Sequence, residues 1–306
     1  ASEQDNLVSV LRAALDDGNA DAVVTVCATR ADDGARRGSH SDISGFAGAV
    51  LAATKGYVPD AAHLTAAIAS YMVVGAAAFV GDMRTAMLAR GRLRAVKRLG
   101  AAGDPRIEAL SNLLLVFSKP EEAFAMLAEA RESDDLGLAA LGTLLGAQVE
   151  ENGGELATAI ASSRRAYELS LSLGDVWLQS TAAQALANLY SQHGDTGQAI
   201  EWADKSQQGM NALQANGDLQ QLSWLIAMNQ LETAPEKARG IFKGFVAQSA
   251  EDLGPDYVDL RSIGLAGLAE LALGEGSTDD GLGLYRKSVD AFGREKGRMA
   301  PWYVIV

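Results

Sequence analysis

Cysteine is almost missing from this chain. Cys27 is the only one, which leaves no internal disulfide framework and no cluster of thiolate metal ligands. It stands in the apolar run Val23, Val24, Val26 and Ala28, the setting of a small buried hydrophobe. Aromatic residues make up only 6% of the chain against 48% hydrophobic residues overall. A core must therefore be assembled from alanine, leucine, valine and isoleucine, and the first two are strong helix formers that let helices approach closely. The six prolines are scattered, and no stretch is rich enough in proline or serine to read as a long disordered linker. Nor does any segment reach about 18 unbroken apolar residues; residues 66–80 come nearest and are interrupted by Ser70 and Gly75. No membrane span is expected. Basic residues are outnumbered 26 to 39, a formal charge of −13 that repels phosphate backbones at long range and argues against nucleic acid as a direct ligand. The exception is a basic run of Arg90, Arg92, Arg94, Lys97 and Arg98, read as a solvated face, with an anion or phosphate site as the alternative. The chain opens with acidic and polar residues where a secretion signal would be basic. A cytoplasmic location is expected, and the alanine at position 1 reads as the edge of an excised piece.

Residues with catalytic chemistry are equally sparse. His40, His63 and His193 lie far apart and none begins a metal-ligand pattern; His193 is placed to complement a helix C-terminus. No serine sits in a G-x-S-x-G elbow. The acidic pairs Asp16-Asp17, Asp32-Asp33, Asp134-Asp135 and Asp279-Asp280 read as turns and helix starts, where capping accounts for them. Neither an enzyme nor a cofactor or metal site is expected.

What the chain does contain is a repeat. Ala187, Tyr190, Gly194 and Ala199 have the order of a tetratricopeptide-like (TPR-like) unit: a small residue and an aromatic on a first helix, a turn, then a small residue on a second. Gly154 and Ala159 lie 40 residues earlier, and Gly276 and Gly281 lie 82 later. Ala86, Ala123 and Ala238, the last followed by Phe242 and Phe245 at core spacing, complete a series at steps of 36 to 43 residues. Helix pairs are expected at 104–117 with 120–132, 135–151 with 155–172, 175–193 with 196–214, 218–231 with 234–252, and 256–273 with 277–294. Gly174-Asp175 and Gly217-Asp218 are read as the glycine stop of one helix and the aspartate cap of the next. Residues 1–100 form a less regular part with helices near 3–17, 19–31, 41–55, 60–79 and 82–99; residues 101–306 hold the repeats and a C-terminal cap. The expected fold is all-α, a right-handed superhelical solenoid of antiparallel helix pairs in which each pair covers the next. Trp302, Tyr303, Val304, Ile305 and Val306 are too apolar for a solvated tail and are expected to pack on the last pair or to mark a truncation.

The opening segment carries a resemblance. Asp5, Asn6, Leu7, Leu11, Ala14, Leu15, Gly18 and Ala22 match a D-N-L-x-x-x-L-x-x-A-L-x-x-G-x-x-x-x-A line. That line begins the helical region after the STAND ATPase module of large bacterial regulators. In this it resembles the TPR-like sensor region of actinobacterial antibiotic-regulatory (SARP) activators and of large ATP-binding LuxR-type regulators. The resemblance implies a cytoplasmic sensor and scaffold that controls ATPase and DNA-binding modules elsewhere in a parent chain. Gly281-Leu-Gly-Leu-Tyr-Arg-Lys-Ser only mimics the end of a phosphate-binding loop, since it lacks the glycine before the lysine.

In the repeat register the position after the small residue of each first helix faces a concave groove. It holds Asn112, Gln148, Asn188 and Glu270, with Ala227 as the exception; Glu108, Gln184 and Ser223 lie four residues before three of these positions, on the same face. Amides that both donate and accept suit a peptide backbone or a polar effector, and Trp177, Trp202, Trp224 and Tyr71 are candidate anchors or core residues. The expected function is non-catalytic binding of a protein, a peptide or a small effector in this groove. Two alternatives stand: a free-standing adaptor that bridges two proteins, and, more remotely, an enzyme with its site in the groove.

Overall fold

The structure, a computed structural model, describes residues 3–36, 41–79, 82–116, 118–247 and 260–294. These residues form fifteen α-helices and no strand. The helices are α1 (Glu3–Asp16), α2 (Ala20–Arg36), α3 (Ser41–Ala53), α4 (Leu64–Ala78), α5 (Met83–Val96), α6 (Pro105–Val116), α7 (Pro120–Arg131), α8 (Leu136–Asn152), α9 (Leu156–Leu173), α10 (Val176–Gln192), α11 (Thr196–Leu213), α12 (Asn216–Asn229), α13 (Pro235–Ala247), α14 (Leu260–Gly274) and α15 (Thr278–Arg294). Neighbouring helices pack in pairs. The chain divides into two compact units, Ala1–Gly146 and Ala147–Val306.

In the first unit α4 lies at the centre, against α2, α3, α5 and α6. Its sequence from Leu64 to Ala78 carries no charge, and a helix apolar on every side is one that neighbours enclose. The longest apolar stretch of the chain is thus a core helix, and none of the described helices is long and apolar enough to cross a membrane. Its Ile68, Tyr71 and Val74 pack in one core with Leu11, Val23, Val24, Val50 and Leu93 of the surrounding helices. Cys27 is buried with them; burial pushes its thiol above the ordinary value against the opposing pull of Ser70 and Arg30.

In the second unit each helix from α9 to α15 packs on the next, and α10 also meets α12. The turns at Gly154, Gly194 and Gly276 repeat one conformation, with φ of 81°, 82° and 83°. In each, the N–H of the following residue reaches back five positions: Glu155 to Glu150 at 2.9 Å, Asp195 to Tyr190 at 3.0 Å and Ser277 to Ala272 at 2.8 Å. This left-handed stop satisfies the last carbonyls of a helix and is open to glycine without strain. The small residues fall where helices touch. Ala86, Ala159, Ala199 and Ala238 are buried, and a Cβ at Gly281 would stand 2.7 Å from Leu273; Ala123 is only half-buried. Within two pairs a serine seam locks the contact: Ser206 donates to the carbonyl of Ser180 and Ser288 to that of Ser262, each at 2.8 Å.

Two expectations are corrected. The stop before α12 is not Gly217 but Gln214, whose φ is 57°. The helix therefore starts at Asn216, and Asp218 lies in its first turn instead of capping it. Residues 32–36 continue α2, so Asp32-Asp33 is no turn. Asp16-Asp17 lies where α1 passes into a turn, one of the two settings expected for it. Residues 248–259, assigned to the ends of two helices, and the apolar segment from Trp302 to Val306 lie outside the described residues.

Candidate functional site

The first unit holds Glu108 and Asn112, one turn apart on α6. Glu108 accepts from Lys97 Nζ, from the Ala102 N–H at 2.7 Å and from Asn112 Nδ2 at 3.1 Å. Partial burial acts to raise its carboxyl, but donation from Lys97, Ala102 and Asn112 outweighs it and the pKa lies below the ordinary value. These two side chains are spent on each other and on fastening the α5–α6 connection. Much of the basic run is also spent internally. Arg90 reaches the carbonyl of Leu115 at 2.5 Å and Arg92 that of Thr54, so both guanidiniums close the carbonyl ends of neighbouring helices, where a cation is favoured.

The second unit holds the other candidates. Gln148 on α8 is exposed and donates to Glu151 at 2.7 Å, and Glu151 also accepts from Gln192. On α10, Gln184 donates to Gln221 of α12 at 3.0 Å, and two turns further on Asn229 donates to Ser191 at 2.9 Å. Between these two links Asn188 is exposed and makes no side-chain hydrogen bond among the described residues. Ser223 is half-buried and its hydroxyl is occupied by the Leu219 carbonyl at 2.8 Å. Glu270 accepts from the Tyr285 hydroxyl. Burial first, and then that hydrogen bond, push the Tyr285 phenol up to about 12. The structure thus links Gln148 with Glu151 and Gln192, and Gln184 with Gln221, while the Asn188 amide is exposed and makes no side-chain hydrogen bond among the described residues.

The aromatic candidates separate cleanly. Tyr71 and Trp202 are core: Trp202 meets Tyr167 edge to face at 5.0 Å and has Arg164 at 5.3 Å and Lys205 at 4.0 Å over its ring. Trp177 is half-buried. Trp224, three residues after Gln221 on α12, is 37% exposed, a large apolar surface on the helix that the amide link ties to α10. Gln221, Glu151 and the Ser191–Asn229 link were not singled out from the sequence. Their signal was present as polar residues 37 to 41 apart on successive first helices, one repeat step.

Of the histidines, His63 hydrogen-bonds Asp60 at 2.7 Å and lies 3.6 Å from Asp21. His193 ends α10, its N–H bonded to Leu189, and His40 lies outside the described residues. Among the described residues no group of three or more His, Cys, Asp or Glu is arranged to hold a metal ion. No protein-family model matches the chain, and no curated protein matches it.

Proposed function

We propose that this chain is a TPR-like solenoid that works by binding, not by catalysis, and that its working surface in the second unit is the face shared by α10 and α12. The reading rests on one observation: successive first helices are joined by polar side chains one repeat step apart, Gln184 to Gln221 and Asn229 to Ser191, with an uncommitted amide at Asn188 and an exposed indole at Trp224 between them. An amide that donates and accepts on one helix, with a flat aromatic surface on the helix linked to it, suits an extended peptide or a polar effector. Glu108, Asn112 and Ser223 are better read as structural, because their polar atoms are already bonded inside the chain. In the setting that the N-terminal resemblance implies, the module is the cytoplasmic sensor region of a bacterial transcription regulator. A ligand would act by preferring one arrangement of the helices and so shifting attached ATPase and DNA-binding modules.

The test is retention of peptides and metabolites by the chain beside Asn188→Ala and Trp224→Ala variants of equal helicity. Loss of the same ligand from both supports the reading; equal retention by all three moves the site elsewhere. Turnover of any substrate would remove the non-catalytic claim.

A further inference from the structure

From Met83 to Leu99 the chain carries six basic residues and no acidic one, within a molecule of net charge −13. Arg90, Arg92 and Lys97 are consumed by contacts inside the first unit. Arg84, Arg94 and Arg98 are exposed; the Arg84 charge is drawn to Asp82, while Arg94 and Arg98 make no side-chain hydrogen bond or ion pair among the described residues. At 100° per residue Arg84 and Arg94 share one face of α5 with Met83, Met87 and Leu88, which are 52%, 44% and 54% exposed, and Arg98 follows just past the end of the helix. Single exposed apolar residues need no explanation, but three interleaved with exposed cations on one helix face do. Beside this face, α4, α5 and α6 leave an apolar recess lined by Gly75, Phe79, Ala86, Met87, Arg90 and Leu114. In the middle of the face stands Gly91, exposed, where an added Cβ would meet nothing within 4 Å. Internal packing therefore does not require a glycine there, although a helix interior disfavours one. A backbone approaching from outside would.

We propose that this face of α5 docks an acidic amphipathic helix of a partner protein. Its apolar side chains would lie over Met83, Met87 and Leu88 with one seated in the recess. Its carboxylates would meet Arg84, Arg94 and Arg98, and its backbone would pass close over Gly91. Helix-in-groove recognition of this kind is anchored at helical spacing, and opposite charge sets orientation and association rate. The recess favours a peptide over an anionic lipid surface, because a concave seat fits one side chain and a bilayer is flat. This inference concerns the first unit and is independent of the α10–α12 reading.

The experiment is fluorescence anisotropy of the whole chain with a labelled model peptide that has Leu and Phe at helical spacing and Glu elsewhere. A scrambled peptide of the same composition and phosphatidylserine vesicles run alongside. Saturable binding is expected, weakened about tenfold or more by scrambling and reduced by salt. A similar loss is expected in the Arg84→Glu/Arg94→Glu/Arg98→Glu chain and in Gly91→Gln. The last variant alters no charge and fills open space on a helix, so with unchanged circular dichroism its loss reports the contact itself. Absence of saturable binding, equal binding of the scrambled peptide, insensitivity to Gly91→Gln, or binding to vesicles without binding to the peptide would each overturn the proposal.

Discussion

Gly267 and Phe242 offer a direct test of how α13 and α14 pack. Phe242 is fully buried, and a Cβ added at Gly267 would lie 2.3 to 2.5 Å from three carbons of its ring. Carbon atoms settle at about 3.5–4.0 Å, so the Gly267→Ala methyl forces the ring or the whole of α14 to move by about an ångström. The ring has no solvent to swing into. Overpacking of this kind costs about 1–3 kcal/mol, whereas alanine gains about 1 kcal/mol over glycine in a helix interior. At so close an approach the steric term should win, leaving a net loss of up to about 2 kcal/mol. Gly240→Ala on α13 is the control: its Cβ would meet nothing within 4 Å and the site is exposed, so the same substitution should stabilise by about 0.5–1 kcal/mol. Urea unfolding with amide hydrogen exchange across α13 and α14 reads both the global and the local change. Phe242→Leu should relieve the clash, so that the double variant is more stable than the sum of the single losses by about 0.5–3 kcal/mol. If Gly267→Ala is as stable as the original chain, or Phe242→Leu gives no relief, the close approach of these helices is wrong.

Three further outcomes follow from groups described above. Glu108→Ala should cost about 1–3 kcal/mol, since it leaves Lys97, only 11% exposed, without its carboxylate. Because the folded pKa of Glu108 is depressed, the stability it adds is present above the unfolded value of about 4.3 and is lost as pH falls through the folded value. Denaturant midpoints measured down the acid limb should lose that slope in Glu108→Gln. The hydrogen bond that His63 donates to Asp60 holds the His63 pKa above its ordinary value, against partial desolvation and with the charges of Asp21 and Asp60 assisting. Its contribution is therefore full below about pH 6.5 and is lost as pH rises through the folded pKa. A proton NMR titration should place His63 above the ordinary histidine value, and Asp60→Asn should bring it back. Phenolate absorbance should find Tyr285 ionising near 12, and Glu270→Gln should lower that value by removing the accepting charge.

Helix pairs and their turns were legible in the sequence because both have strict local causes. A left-handed stop favours glycine, so Gly154, Gly174, Gly194 and Gly276 mark themselves, and all have positive φ. Gln214 escaped because a residue with a side chain took the same conformation, which local preference does not announce. That shifted the start of α12; within it Ser223 is half-buried and the neighbouring Trp224 reaches solvent. Burial inside contacts was also invisible. Composition alone gives the arginines of α5 equal standing, yet Arg90 and Arg92 close carbonyls 25 and 38 positions away in the chain while Arg94 faces water. Glu108 and Asn112 were placed correctly on one face of α6 and still proved to bind each other.

The serine seam bears on how such a chain can change in evolution. Ser180 meets Ser206, and Ser262 meets Ser288, across the same interval of 26 residues. The small buried positions from one pair to the next, by contrast, are separated by anything from 36 to 43. One residue inserted within a pair would turn the remainder of that helix by about 100°, carrying a buried hydroxyl away from its carbonyl. An insertion between pairs leaves every seam intact. Length variants of this protein should therefore gain and lose residues at the joints between pairs, and the pairs themselves should pass through duplication or deletion whole.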